Sequence, residues 1–172
     1  NLNALGPGRG QMTGTLNSVD ARLFRGLSLF AGLDDKRLAK IASQFTPLDI
    51  PAEAELLQEG EDADQLYILL EGRVSLSVAI PGRAQHETVV STLSRGQLLG
   101  WSALLPNNFW KASAHTLKPC RLLRASGKAI RDLCERDHEI GYCLMKNALV
   151  TVGQRLEDCR LQSLNIFGSE DG

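Results

Sequence analysis

LLQEGEDADQLYILLEG, residues 56–72, carries the clearest structural signal in the chain. Two leucines lead into an acidic turn at Gly60, and a second apolar run, Leu66 to Leu70, stops at Gly72. Glycine allows turn conformations that a Cβ would penalise, and the small Ala63 suits a place where chain segments crowd. The apolar run has no polar alternation, which is typical of a strand buried on both faces. We predict two short strands joined by a tight turn.

More strand-like runs follow this segment. Val74 to Ile80 alternates apolar residues with Ser75, Ser77 and Ala79, a pattern that predicts a half-buried strand. The remaining runs are Glu87 to Leu93, Lys111 to Leu117 and Arg121 to Leu123, with turn residues between them. Many short strands at close spacing indicate an antiparallel sandwich, roll or barrel.

Helical patterns flank the strands. Asp34 is a candidate N-cap for an amphipathic helix carrying Leu38, Ile41, Ala42 and Phe45, which Pro47 helps to end. After the strands, Ser126 can cap a helix that runs to about Arg136. Asp137 can cap a longer one that runs to about Leu161.

The last helix carries an apolar seam with alternating spacings of three and four residues. The seam consists of Tyr142, Met145, Leu149, Val152, Leu156 and Cys159. Such spacing is typical of helices that pair, so we predict a homodimer through residues 138–161. The alternative is a helix that lies on its own roll. The seam is short, and Gly153 within it costs about 1 kcal/mol relative to alanine, so the roll would have to add to the interface.

The order of these elements, together with residues 56–72, resembles the cyclic nucleotide-binding domain family. Its first signature is matched by Leu56-Leu57, Gly60, Glu61, Ala63, Leu66 to Leu69 and Gly72, and only Leu57 departs from it. The resemblance covers roughly residues 20–165. It implies a mainly β fold with flanking helices: a double-stranded β-helix, or jelly-roll-like β-roll, with a long C-terminal helix. We expect a flexible tail at 1–18, the domain at 19–165 and a second tail at 166–172.

The resemblance also implies a ligand cradle, residues 100–113 here. In the family, a Gly-Glu segment opens a short helix whose N–H groups hold the cyclic phosphate, and an Arg about ten residues on adds a bidentate contact. The matching ligand-binding residues here are Gly100, Trp101, Ser102, Ala103, Lys111, Ala112 and Ser113. Trp101 replaces the Glu and cannot accept a hydrogen bond from ribose. Lys111 replaces the Arg and lacks its fork geometry.

Three interpretations of the cradle stay open at this stage. It binds cyclic AMP or cyclic GMP through altered contacts, or it binds another small anionic or aromatic ligand stacked on Trp101. Alternatively, Trp101 and Phe109 pack the cradle shut. Trp110, beside the turn at Pro106-Asn107-Asn108, is predicted to lie nearer the surface than Trp101.

Composition narrows the classes of function. The 172 residues carry 19 basic and 20 acidic side chains, a net charge of −1 that gives no general attraction to nucleic acid or anionic membrane. No apolar stretch is long enough to span a bilayer, and we see no export signal, so we expect a cytoplasmic protein with four reduced cysteines. The cysteine spacings fit no zinc site, and we expect no DNA-binding helix-turn-helix domain after the long helix.

No residue pair in the sequence supports catalysis. His86, His115 and His138 are scattered, and the acidic run from Glu59 to Asp64 lacks calcium-loop spacing. We therefore predict a non-catalytic regulatory or sensor module without a cofactor. It would bind a cyclic nucleotide or other small anionic ligand and relay this through its C-terminal helices, with a protein effector as a further partner. The alternative is a degenerate, ligand-free scaffold for dimerisation or protein interaction on the same fold.

Overall fold

A computed structural model of the chain describes residues 19–80 and 87–167. Eight strands form two four-stranded antiparallel sheets, ordered β1-β8-β3-β6 and β2-β7-β4-β5. The strands are β1 Thr46–Ile50, β2 Glu55–Leu57, β3 Gln65–Glu71, β4 Val74–Ala79, β5 Glu87–Leu93, β6 Leu98–Leu99, β7 Ser113–Thr116 and β8 Cys120–Ser126. The α-helices are α1 Arg22–Arg25, α2 Asp35–Ala42, α3 Gly127–Arg136 and α4 His138–Phe167, with 3₁₀ helices at Ser28–Phe30 and Trp101–Leu104.

The predicted β-roll with flanking helices is confirmed, and each predicted strand run overlaps an observed strand. Two strands were missed. β6 has only two residues, and β1 begins inside the stretch where Pro47 was expected merely to end a helix. In fact α2 ends at Ala42, and Pro47 lies in β1 at the edge of its sheet, where a residue without an N–H is tolerated.

β3 divides the interior into two apolar clusters, one on each side of its sheet. Leu66 and Ile68 pack against the helices, whereas Tyr67 and Leu69 point into the space between the two sheets, which we call the cup. All four side chains are buried. The strand therefore has no solvent face, and this explains why its sequence does not alternate.

The prediction that β4 is half-buried is wrong for its first four residues. Val74 and Leu76 face the cup as expected, but Ser75 and Ser77 are buried as well. Their hydroxyls are satisfied, because Ser75 donates to the His115 carbonyl at 3.3 Å and Ser77 donates to the Glu87 carboxylate. Hydrogen-bonded serine can be buried at low cost, and alternation of polar residues therefore overestimated the exposure of this strand.

The turn glycines of residues 56–72 behave as predicted. Gly60 and Gly72 have φ angles of +87° and +99°, values that favour glycine. Ala63 is buried, and its N–H donates to the Asn108 carbonyl at 2.9 Å where two chain segments cross. The signature thus records backbone requirements of the roll.

Side-chain N-caps begin α2 and α3, and ion pairs connect α2 to the residue before α4. Asp34 caps α2 through the Arg37 N–H and Ser126 caps α3 through the Ala129 N–H, both as predicted. Between α3 and α4, Asp137 pairs with Arg37 at 3.1 Å and with Lys40 at 2.8 Å. The hydrogen bond from Lys40, supported by Arg37, lowers the pKa of Asp137 from 3.8 to about 2. This cluster fastens α2 to the start of α4.

Several sequence predictions lie outside the described residues. These are the N-terminal tail 1–18, His86, the side chain of Cys159 and residues 168–172, while α4 itself continues to Phe167, past the predicted boundary at 165. Among the described cysteines, Cys120 is buried, Cys134 and Cys143 are partly buried, and all three are free thiols. No helix in the described ranges is both long and apolar enough to cross a membrane.

Candidate ligand cradle

The cradle begins where β6 ends. Gly100 has a φ of +80° and leads directly into the 3₁₀ helix Trp101–Leu104, which we call the cradle helix. A Cβ on Gly100 would lie 2.6 Å from the Gln65 carbonyl oxygen and 3.1 Å from a ring carbon of Trp110. Glycine is therefore required here both for its conformation and for the close approach of neighbouring atoms.

Trp110 fills the space over this glycine. Its side chain is only 5% exposed and belongs to the cluster inside the cup. It packs there with apolar residues from both sheets and from the cradle helix, among them Leu57, Tyr67, Leu99 and Ala103. The prediction that Trp110 lies nearer the surface than Trp101 is wrong, because Trp101 is the more exposed of the two.

Trp110 is held in place by the turn that follows Gly60. The Gly60 N–H donates to the Trp110 carbonyl at 3.0 Å, and the Trp110 N–H donates to the Glu61 carbonyl at 2.8 Å. This backbone pairing fixes the direction of the side chain between the turn and the cup. The two sequence segments singled out by the family resemblance are thus parts of one structural unit.

The predicted ligand-binding residues are divided between three places. Gly100, Ala103 and Ala112 contact the cup. Trp101 packs against the helix-side cluster, and Ser102 is buried in the cradle helix. Lys111 is exposed, and Ser113 lies on the face of β7 opposite the cup-facing Ala114, where its hydroxyl accepts the Glu59 N–H at 3.1 Å.

This arrangement has consequences for phosphate binding. No lysine or arginine is among the buried residues of the described ranges, and the ring in contact with Gly100 is neutral and apolar. An anion in that position would need a nearby positive charge or several free N–H groups. The interpretation in which Trp101 and Phe109 close the cradle is wrong in its residues, because Phe109 is 49% exposed and Trp101 faces the helices. Trp110 occupies the space instead.

The sequence could not distinguish Trp110 from Lys111. Lys111 follows Trp101 by ten residues, and Trp110 follows Gly100 by ten. A shift of one residue in an extended segment reverses the direction of the side chain, so the spacing identified the segment but not the residue that enters the cup. The available signal was chemical: a large apolar ring is more easily buried than a lysine.

Two arginines connect the C-terminal helices to the cradle. Arg131 of α3 donates to the Ala103 carbonyl, and Arg155 of α4 donates to the Leu98 carbonyl. Burial lowers the pKa of Arg155, but an arginine still keeps its charge, and its Nε has no acceptor among the described residues. At the start of α3, an added Cβ on Gly127 would collide with Ala103. A displacement of residues 98–103 would therefore change contacts of both α3 and α4.

No group of three or more His, Cys, Asp or Glu side chains is arranged to hold a metal within the described ranges. His115 lies 3.5 Å from Glu55 on the outer face of its sheet, away from the cup.

Comparison with known proteins agrees with the fold. The model of the cyclic nucleotide-binding domain matches residues 47–137. The CRP-like cAMP-activated global transcriptional regulator of Mycobacterium tuberculosis is 25% identical over 119 residues, which are 69% of this chain and 52% of the regulator. The chain therefore spans about half the length of that relative.

Solved structures share the fold. The regulatory domain of Toxoplasma gondii PKA, solved with cAMP, is 29% identical with a TM-score of 0.59, covering 65% of this chain and 42% of that one. A cyclic nucleotide-binding domain from Methylobacillus flagellatus shares the fold at 18% identity, with a TM-score of 0.76 and coverage of 87% and 86%. The family model spans just over half of the residues, from β1 to the end of α3, and the chain accordingly belongs to the cyclic nucleotide-binding domain family.

Proposed function

We propose that this chain is a non-catalytic regulatory module that acts through its C-terminal helices and takes no cyclic nucleotide in its cradle. The observation that carries the proposal is the Trp110 ring packed onto Gly100 inside the cup. A phosphate over the cradle helix would have to displace this ring. Truncating a buried Trp typically costs about 3–5 kcal/mol, and displacement would lose packing on a similar scale.

The relay part of the proposal rests on the contacts of Arg131 and Arg155. Each arginine binds a backbone carbonyl beside the cradle from a different helix. A change in the cup that moves residues 98–103 would break or shift hydrogen bonds at both helices. Packed elements with such connections switch between discrete arrangements, and this is how a signal can reach a distant surface.

The output surface of the proposal is the seam on α4. Ile140, Leu144 and Ala148 are buried against the chain's own helix-side cluster. On the other side of α4, Leu149 is 73% exposed and Leu156 is 63% exposed. The seam therefore does not lie on its own roll, which favours the predicted pairing with a second copy over the alternative.

Sedimentation equilibrium of the wild-type chain and of Leu149→Glu tests the pairing. We expect the wild type to sediment with the mass of two chains and Leu149→Glu as a folded monomer with an unchanged circular dichroism spectrum. Val89→Glu is the matched control, since Val89 is 60% exposed on β5 and should leave the dimer intact. A wild type that is monomeric at every concentration would refute the pairing.

Cyclic nucleotide sensing is the second candidate function. It is supported by the 29% identity with the T. gondii domain solved with cAMP. It requires Trp110 to swing out of the cup on binding, and a titration with cyclic nucleotides therefore separates the two candidates.

A further inference from the structure

A cavity of about 610 Å³ opens beside the cup, at the turn after Gly60. Its apolar wall consists of Leu56, Leu57, Tyr67 and Trp110. Tyr67 is only 7% exposed and Trp110 only 5%. The cavity is therefore bounded on one side by two aromatic side chains that are otherwise enclosed in protein.

The polar atoms of these aromatic residues have no hydrogen-bond partner among the described residues. Within the described residues as a whole, the only fully enclosed side-chain nitrogen or oxygen without a partner is Arg155 Nε. The Tyr67 hydroxyl and the Trp110 indole N–H are not among these enclosed atoms and form no hydrogen bond with a described residue, so solvent can reach both. Their side chains line the cavity. Burial raises the pKa of Tyr67 above its usual value, with a smaller opposing effect of Arg124, so its hydroxyl stays protonated. Both groups can donate to an acceptor.

The rim of the cavity is acidic. Glu61, Asp62 and Asp64 line it, and none of their carboxylates forms an ion pair with a described residue. An anionic ligand would meet three negative charges here. A cation would be attracted by the rim.

The basic residues nearest the rim are fewer than its three carboxylates: Lys128 and Arg131 line an adjacent depression together with Asp62 and Asp64. Lys128 pairs with Asp132 at 2.6 Å, and Arg131 donates to the Ala103 carbonyl. Arg124 is opposite Tyr67 in the β3–β8 register, but it is exposed and is not among the residues that line the cavity.

We propose that this cavity binds a small organic cation that also carries a hydrogen-bond acceptor, with the cation between the carboxylates and the aromatic rings. The acceptor would take the hydrogen bonds that Tyr67 and Trp110 leave unused. This ligand class is opposite in charge to a cyclic nucleotide. The site goes beyond the proposed function and is independent of pairing through α4.

Choline is a suitable probe because it joins a quaternary ammonium to a hydroxyl group. Its uncharged isostere, 3,3-dimethylbutan-1-ol, has the same shape and the same hydroxyl. In a Trp101→Phe background Trp110 is the one remaining tryptophan, and its fluorescence reports on the cavity. We expect a saturable change with choline and binding at least about tenfold weaker for the isostere.

Neutralising the rim tests the same site from the protein side. Replacing the three carboxylates by Glu61→Gln, Asp62→Asn and Asp64→Asn should weaken choline about tenfold or more, whereas Glu135→Gln, an exposed carboxylate on α3, should not. Rising salt should weaken choline binding to the protein with its native rim and leave the isostere unaffected. The comparison of the two ligands needs no rim variant, so it decides even if the triple variant misfolds. Equal affinity for both ligands, or no saturation at about 100 mM choline, would overturn the proposal.

Discussion

The turn at residues 60–64 and the cradle at residues 100–113 lie side by side, hydrogen-bonded through Trp110, yet they relate to their family in different ways. The turn keeps the family's glycine and small residue, because its backbone needs a positive φ and a close crossing. The cradle keeps Gly100 for the same reason but carries Trp101, Trp110 and Lys111 where ligand chemistry would be decided. Backbone demands preserve a fold, while the side chains that fill the same backbone can change its function.

Among the variants that test this comparison, Trp110→Ala, which empties the cradle, should lower the free energy of unfolding most. This removes a 95% buried indole from between the turn and Gly100, and it should lower the free energy of unfolding by about 3–5 kcal/mol. Urea denaturation followed by circular dichroism measures the change.

Trp101→Ala provides the control for this loss. Trp101 is only partly buried against the helix-side cluster, and its truncation should cost about 1–2 kcal/mol. If Trp101→Ala destabilised the chain more than Trp110→Ala, Trp110 could not be the side chain that fills the cup.

The second prediction compares the stability lost when one glycine from each region is replaced by alanine. Gly60→Ala meets no atom within 4 Å, so it should cost only the strain of a left-handed residue, about 1–2 kcal/mol. Gly100→Ala carries the same strain and also collides with the Gln65 carbonyl and Trp110, for a total of about 2–5 kcal/mol. Equal losses in urea denaturation would show that Trp110 does not press on the cradle.

Acid should act on the ion cluster of the helical side. The pKa of Asp137 is about 2 in the folded protein and 3.8 ordinarily, so ionised Asp137 stabilises the fold at every pH above about 4. This contribution should decline as the pH falls from about 4 to about 2, as the carboxylate takes up its proton. In Asp137→Asn, unfolding measured against pH should have a smaller slope over this interval. An identical slope would exclude Asp137 as its source.

The smallest effect is expected from restoring the family side chains around the cradle. Trp101→Glu combined with Lys111→Arg recreates the family pair in sequence, but Lys111 points to solvent and Trp110 still fills the cup. Lys111→Arg alone should change stability by less than about 0.5 kcal/mol. Neither variant should gain affinity for cyclic AMP in calorimetry, and a measurable gain would indicate that the cradle is open.

Much of the fold could be predicted because its requirements are local. Gly60, Gly72 and Ala63 occupy special positions in the backbone, and Asp34 and Ser126 cap helices at the expected residues. β6 could not be predicted, since two leucines make too short a pattern, and β1 was hidden by Pro47 at a sheet edge. The burial of Ser75 and Ser77 depends on hydrogen bonds to residues distant in the sequence, which a local pattern cannot record.

The candidate site was predictable as a segment but not as a set of contacts. The family resemblance located the cradle, and Gly100, Ala103 and Ala112 do contact the cup. Which of the adjacent residues 110 and 111 enters the cup depends on how the chain pairs with Glu61 across the turn, a tertiary feature. The cavity beside Tyr67 likewise joins β2, β3 and Trp110, segments that only the fold brings together.

Isothermal titration calorimetry of the wild-type chain with cyclic AMP and cyclic GMP tests most directly whether Trp110 closes the cradle. With the T. gondii PKA regulatory domain as the cAMP-binding control, we predict no saturable heat from this chain at about 1 mM of either nucleotide. Saturable binding of one cyclic nucleotide per chain would contradict the closed cradle, because the phosphate could then reach Gly100 only where the Trp110 ring now lies.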